Sequence, residues 1–126
     1  MTKEELKNRT KTFALRVFRF LLTLEQSRAA AIISNQLLKA SSSVAANFRA
    51  VCRGKSNADF LNKLKVVDEE ADECLFWLEF IYELKLKCDQ DELKFLLKEA
   101  DELVAIFSAS IKTIKSKRNL SPNPKS

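Results

Sequence analysis

Between Met1 and Ser121 the chain contains no proline, and in all 126 residues it contains one glycine, Gly54. A backbone of this kind keeps its amide donors and has few low-strain routes into sharp or left-handed turns. Long helices that turn only at their ends are the natural outcome. No apolar run approaches the roughly 20 residues that cross a bilayer. Met1-Thr-Lys-Glu-Glu also lacks the charged-then-apolar order of a signal peptide. The expected location is the cytoplasm, with no membrane partner.

Caps and apolar period together mark four helices. Thr2 followed by Glu5 forms a capping-box pattern. Behind it Leu6, Thr10, Phe13, Val17, Phe20 and Leu24 repeat at spacings of four and three. After Glu25-Gln-Ser27, a second stripe runs through Ile33, Leu37, Ala40, Val44, Asn47 and Val51, and Gly54 is placed to close it as a left-handed cap. Ser56 starts the third stripe, Phe60, Leu64, Val67, Ala71, Cys74, Leu78 and Ile81. Asp89 starts the fourth, Leu93, Leu97, Ala100, Val104, Phe107, Ile111 and Ile114. Serines 41–43 are mediocre helix formers, yet beside Ala40, Ala45 and Ala46 they give a low-profile surface for close helix approach, so the second helix is expected to continue through them.

Helices of this size are about 30–40 Å long at 1.5 Å per residue and lie side by side. Short links make sequence neighbours antiparallel, and a 3.5-residue period favours crossing angles near about 20°. The expected fold is all-α, an antiparallel up-down-up-down four-helix bundle. Its helices cover about 3–24, 28–53, 57–86 and 90–118, within one domain spanning 1–120, and 121–126 form a flexible tail.

A monomeric bundle has little use for a second apolar stripe. Leu15, Phe18 and Leu22 form one on the far side of the first helix, and Phe76 and Phe80 form another beside Trp77. Large aromatics gathered outside a core mark an interface, and self-association is expected through these five residues.

Charge is laid out unevenly. Met1 to Leu24 carries six Lys or Arg against two Glu, and Glu25 to Ser56 five against one, whereas Asn57 to Cys88 carries four Lys against eight Asp or Glu. Arg16 and Arg19 lie one turn apart, as do Arg49 and Arg53, followed by Lys55. Gathered on one face, or repeated round an oligomer, these five form a site for the phosphates of RNA or DNA. An ordinary solvated face is the alternative, and then the protein is an oligomeric interaction scaffold without a nucleic-acid role.

Catalysis finds little footing. With no histidine, the commonest general base and metal ligand is missing. Asp68, Glu69, Glu70, Asp72 and Glu73 form a carboxylate row, which is usually solvated or paired with Lys and Arg. Cys52, Cys74 and Cys88 are odd in number and show no C-x-x-C spacing, which points to free thiols. No enzyme activity, cofactor or metal is expected.

The stretch SSSVAANFRAVCRGKSNADFLNKLKVVDEEADECLFWLEFI resembles the four-helix-bundle proteins encoded by intervening sequences of 23S ribosomal RNA genes. The likeness lies in the S-V-x-x-N core, the R-A-x-C-R-x-x-S link, the A-D-F-x-x-K-L start and the E-E-A-D-E-x-L-x-W-L helix. Many members carry Glu-Gly shortly after the asparagine, where this chain has Ala50-Val51. The resemblance implies a homopentamer without catalytic residues. Through the related accessory variability determinants of diversity-generating retroelements, it also implies a reverse transcriptase and nucleic acid as partners of a basic surface.

Overall fold

The computed structural model describes residues 1–54 and 56–119, and for Arg118 and Asn119 the backbone alone. Lys55 and the expected tail 121–126 lie outside the described residues. Four helices follow one another, α1 (Lys3–Leu21), α2 (Arg28–Val51), α3 (Asn57–Glu83) and α4 (Gln90–Asn119), with no strand among the described residues. The first three stop two or three residues short of the expected ends.

Each helix starts at a side-chain cap, because its first amide groups have no partner inside the helix. Thr2 Oγ1 accepts from the Glu5 amide at 3.0 Å, Ser27 Oγ from Ala30 at 3.2 Å, Ser56 Oγ from Asp59 at 3.1 Å, and Asp89 Oδ1 from Glu92 at 3.1 Å. The C-termini correct one expectation. Gly54 does not have positive φ, and α2 closes with short backbone bonds from Arg53 to Ala50 and from Gly54 to Val51. Among the described residues the left-handed one is Lys85, at φ 56°. Its amide donates to Tyr82 O at 3.1 Å and the next amide, of Leu86, reaches back to Ile81 O at 3.2 Å, with Leu86 and Ile81 both buried. This is a complete Schellman closure of α3 built on a lysine.

The α1–α2 and α3–α4 links meet at one end of the bundle. The Glu25 amide donates to Lys87 O at 2.8 Å, the Lys87 amide to Glu25 Oε1 at 2.7 Å, and the Asp89 amide to Thr23 Oγ1 at 3.0 Å. At the opposite end the Lys3 ammonium lies 4.6 Å from the Phe60 ring centre and Phe48 packs on Phe107 at 5.8 Å. Arg9 pairs with Glu99 and Arg16 with Glu92, so α1 and α4 run antiparallel in a register that reverses residue by residue.

The core has its largest fully buried side chains in Phe13, Phe20 and Phe107. The expected α1 seam is buried throughout, with Thr10 satisfied by its own helix through Lys7 O at 2.9 Å. α2 continues through Ser41–Ser43, whose first two hydroxyls donate to Leu38 O. The α2 and α3 stripes are buried as expected except at one position each, and the α4 stripe is rotated. Phe48, not Asn47, enters the core, since the Asn47 amide is held by Ser43 O and Oγ. On α3 Leu61 is buried and Phe60 only partly; on α4 Leu96 and Leu103 are buried, while Leu97, Val104, Ile111 and Ile114 pack at the core's margin. Where two apolar columns run side by side on one helix, its neighbours decide which is covered.

Candidate interaction surfaces

The outward stripe of α1 is exposed as expected, with Leu15, Phe18 and Leu22 all outside the core and Phe18 44% exposed. Beside it α2 presents the short side chains of Ser42, Ala45 and Ala46, which leave the space alongside α1 unfilled. The result is an open groove of about 560 Å³ lined by Lys7, Asn8, Lys11, Ala14, Leu15, Phe18, Ser42, Ala45, Ala46 and Arg49. Its floor is apolar, and Lys7, Lys11 and Arg49 stand at one end. No carboxylate is among its lining residues. Leu22 belongs to a different hollow, at the linked end of the bundle with Ala30, Ala31 and Ser34.

Of the five cations singled out in the sequence, Lys55 lies outside the described residues and the other four do not form one patch. Arg16 turns to α4, donating from Nε and Nη2 to Glu92 at 2.8 and 2.6 Å, with its guanidinium carbon 3.5 Å from the Phe95 ring centre. The hydrogen bond to Glu92 raises its pKa further, so the charge is permanent and already matched. Arg19 is exposed in the last turn of α1, eight residues beyond Lys11 and so about 12 Å further along the helix. Arg49 and Arg53 are exposed at the far end of α2, which runs in the opposite direction. The antiparallel arrangement therefore separates Arg19 from Arg49 and brings Lys7 and Lys11 to Arg49 instead. Lys7 and Lys11 are also one turn apart on α1, but nothing in the sequence sets them beside Arg49; only the packing of α1 on α2 does. Arg9 is the counterpart of Arg16, bound to Glu99 at 2.7 and 2.6 Å.

The outer face of α3 carries the second exposed stripe. Glu69, Glu73, Phe76, Phe80 and Glu83 follow at spacings of four and three and share that face. Phe76 is 46% and Phe80 41% exposed, with ring centres 4.7 Å apart. Trp77 braces both rings edge-on at 4.9 and 5.2 Å, and its Nε1 is covered without a hydrogen-bond partner. The rest of the carboxylate row is dispersed. Asp68 turns toward α4 and accepts from Ser108 Oγ at 3.2 Å, and burial pushes its carboxyl pKa up. Burial, with Glu73 and Glu69 nearby, does the same to Glu70.

All three cysteines are free. Burial pushes the Cys74 thiol far above its ordinary range, and burial aided by Asp89 and Glu25 raises Cys88, so neither is poised as a thiolate. Among the described residues no helix is long and apolar enough to cross a membrane.

The profile of a family described as 23S rRNA-intervening sequence protein matches residues 2–109. Among solved structures the chain is similar to a protein with unknown function from the S23 ribosomal protein family of Bacteroides thetaiotaomicron VPI-5482, solved at 1.70 Å. The two are 26% identical and superpose with a TM-score of 0.74 over 84% of this chain and 97% of that one. No curated protein matches the chain.

Proposed function

The chain belongs to the 23S rRNA-intervening sequence protein family, and on that premise we infer that it works as a non-catalytic helical scaffold that assembles with copies of itself and presents the assembly to a partner. The observation that carries this reading is apolar surface left over after the core is complete. Phe18, Phe76 and Phe80 stay outside a core whose own phenylalanines Phe13, Phe20 and Phe107 are at most 2% exposed. Exposed aromatics in two ordered stripes are the raw material of a protein interface. Five copies is the number the resemblance implies. Light scattering on the purified protein at micromolar concentration is expected to report an oligomer, and a monomer would refute the reading. The absence of histidine supports the non-catalytic part, and three free cysteines fit a cytoplasmic location.

A second reading is nucleic-acid binding, favoured by Lys7, Lys11 and Arg49 in a groove with no carboxylate among its lining residues. Arg53 follows Arg49 by one turn and extends that basic end. Repetition round an oligomer adds weak phosphate contacts together, and a reverse transcriptase is the protein partner that the resemblance supplies. Such binding is independent of base sequence and falls steeply with added salt. Failure to retain RNA or DNA at about 50 mM salt, where screening is weak, removes this reading and leaves the scaffold.

A further inference from the structure

We propose that copies of the chain join head to tail, the outer stripe of α3 on one copy lying in the α1–α2 groove of the next. The proposal rests on the self-association reading and specifies which surfaces meet. The two faces differ in charge and match in character. The groove offers an apolar floor at Ala14, Leu15, Phe18 and Ala45 with three cations and no carboxylate among its lining residues. The α3 stripe offers Phe76 and Phe80 flanked by Glu69, Glu73 and Glu83. An amphipathic helix lying in a groove through aromatic anchors one turn apart is a recurrent mode of recognition.

Pairing each face with itself fails on charge. Lys7 already has Glu4 Oε2 at 3.7 Å, but groove against groove still sets Lys11 and Arg49 against their own copies, and α3 against α3 does the same for the glutamates, whereas groove against α3 sets opposite charges together. The lengths agree as well. Glu69 to Glu83 spans about 21 Å at 1.5 Å per residue, and the α1 wall from Lys7 to Phe18 about 17 Å. Trp77 holds Phe76 and Phe80 in place before contact, which reduces the ordering cost of binding. A heterologous contact leaves one groove and one stripe free at the ends of any open chain, so it propagates into a closed ring or an open filament according to the rotation between copies. The same carboxylates, not phosphates, are then the anions that Lys11 and Arg49 meet.

The test uses two variants that each destroy one face. Phe18→Asp removes the groove and keeps the stripe; Phe80→Asp removes the stripe and keeps the groove. Both positions are more than two-fifths exposed, so helicity by circular dichroism should be retained. Ala46→Trp, which fills the groove from an exposed position, and Phe76→Ser serve as a second pair should either aspartate disturb the fold. Each variant alone is expected to be monomeric by light scattering while the wild type is oligomeric. Mixed in equal amounts, they should form a complex of twice the monomer mass and nothing larger, because one intact groove and one intact stripe remain. A variant that still dimerises alone shows like-with-like pairing and overturns the proposal. A mixture that stays monomeric beside an oligomeric wild type overturns the pairing but not self-association. A monomeric wild type that retains RNA or DNA through Arg49 overturns both and gives the groove to nucleic acid.

Discussion

Replacing Lys85 by glycine should make the protein more stable, although glycine normally weakens a helical protein. Lys85 sits at φ 56° at the end of α3, and a side chain in that left-handed conformation costs about 1–2 kcal/mol. Glycine removes that cost and adds back about 0.4–1 kcal/mol through a more flexible unfolded chain. The Lys85 side chain is exposed, so little packing is lost with it and the net gain is about 0.5–1 kcal/mol. At an unfolding entropy of about 2.1 cal/mol/K per residue, over 126 residues, the midpoint should rise by roughly 2–4 °C. Thermal unfolding followed by circular dichroism at fixed protein concentration measures it. Lys85→Ala is the control, since alanine removes the charge but keeps the Cβ that causes the strain; it should not raise the midpoint. If alanine raises Tm as much as glycine, charge rather than conformation governs the site. If glycine lowers Tm, the left-handed assignment is wrong. Gly54→Ala completes the comparison. Its φ is not positive, so alanine there loses no left-handed glycine cap, and any drop in Tm should come from crowding of the added Cβ against the Val51 carbonyl oxygen at 3.2 Å.

Phe107→Asp should unfold the bundle or cost several kcal/mol in urea titration, because Phe107 is fully buried against Phe48 and an unpaired carboxylate would be stranded there. Arg16→Ala should cost about 1 kcal/mol, between an exposed and a buried pair, since its side chain is 34% exposed and Glu92 22%. It should also leave any nucleic-acid retention unchanged, whereas Arg49→Glu with Arg53→Glu should abolish it without loss of helicity. Asp68→Asn should raise Tm at pH 7. Burial raises the folded-state pKa of Asp68 above its ordinary 3.8, so the folded protein favours the protonated form, and ionisation weakens the wild type as pH rises through that value. The advantage of the asparagine variant should therefore shrink on acidification and vanish below the ordinary carboxylate pKa. A pH-independent difference would point to packing instead.

Helix number, helix starts and the α1 seam were legible in the chain because they depend on neighbours in sequence. A serine, threonine or aspartate reaches only amides two or three residues on, so Thr2, Ser27, Ser56 and Asp89 cap their helices in any tertiary setting. The exposed stripes at Phe18, Phe76 and Phe80 were legible for the same reason, as a helix has only one core-facing side. What tertiary structure alone decided was which of two equivalent residues met a partner. Leu96 and Leu103 entered the core ahead of Leu97 and Val104 because the position of α3 settles the rotation of α4. The register of α1 against α4 took Arg16 to Glu92, and the antiparallel run of α2 parted Arg19 from Arg49 and supplied Lys7 and Lys11 in its place. The left-handed cap expected at Gly54 is absent there, and Lys85 adopts that conformation at the end of α3, where the Lys85 and Leu86 amides close the last turn on Tyr82 and Ile81. Periodicity determines which face of a helix is apolar; contact between helices, a property of pairs far apart in sequence, determines what that face and its charges meet.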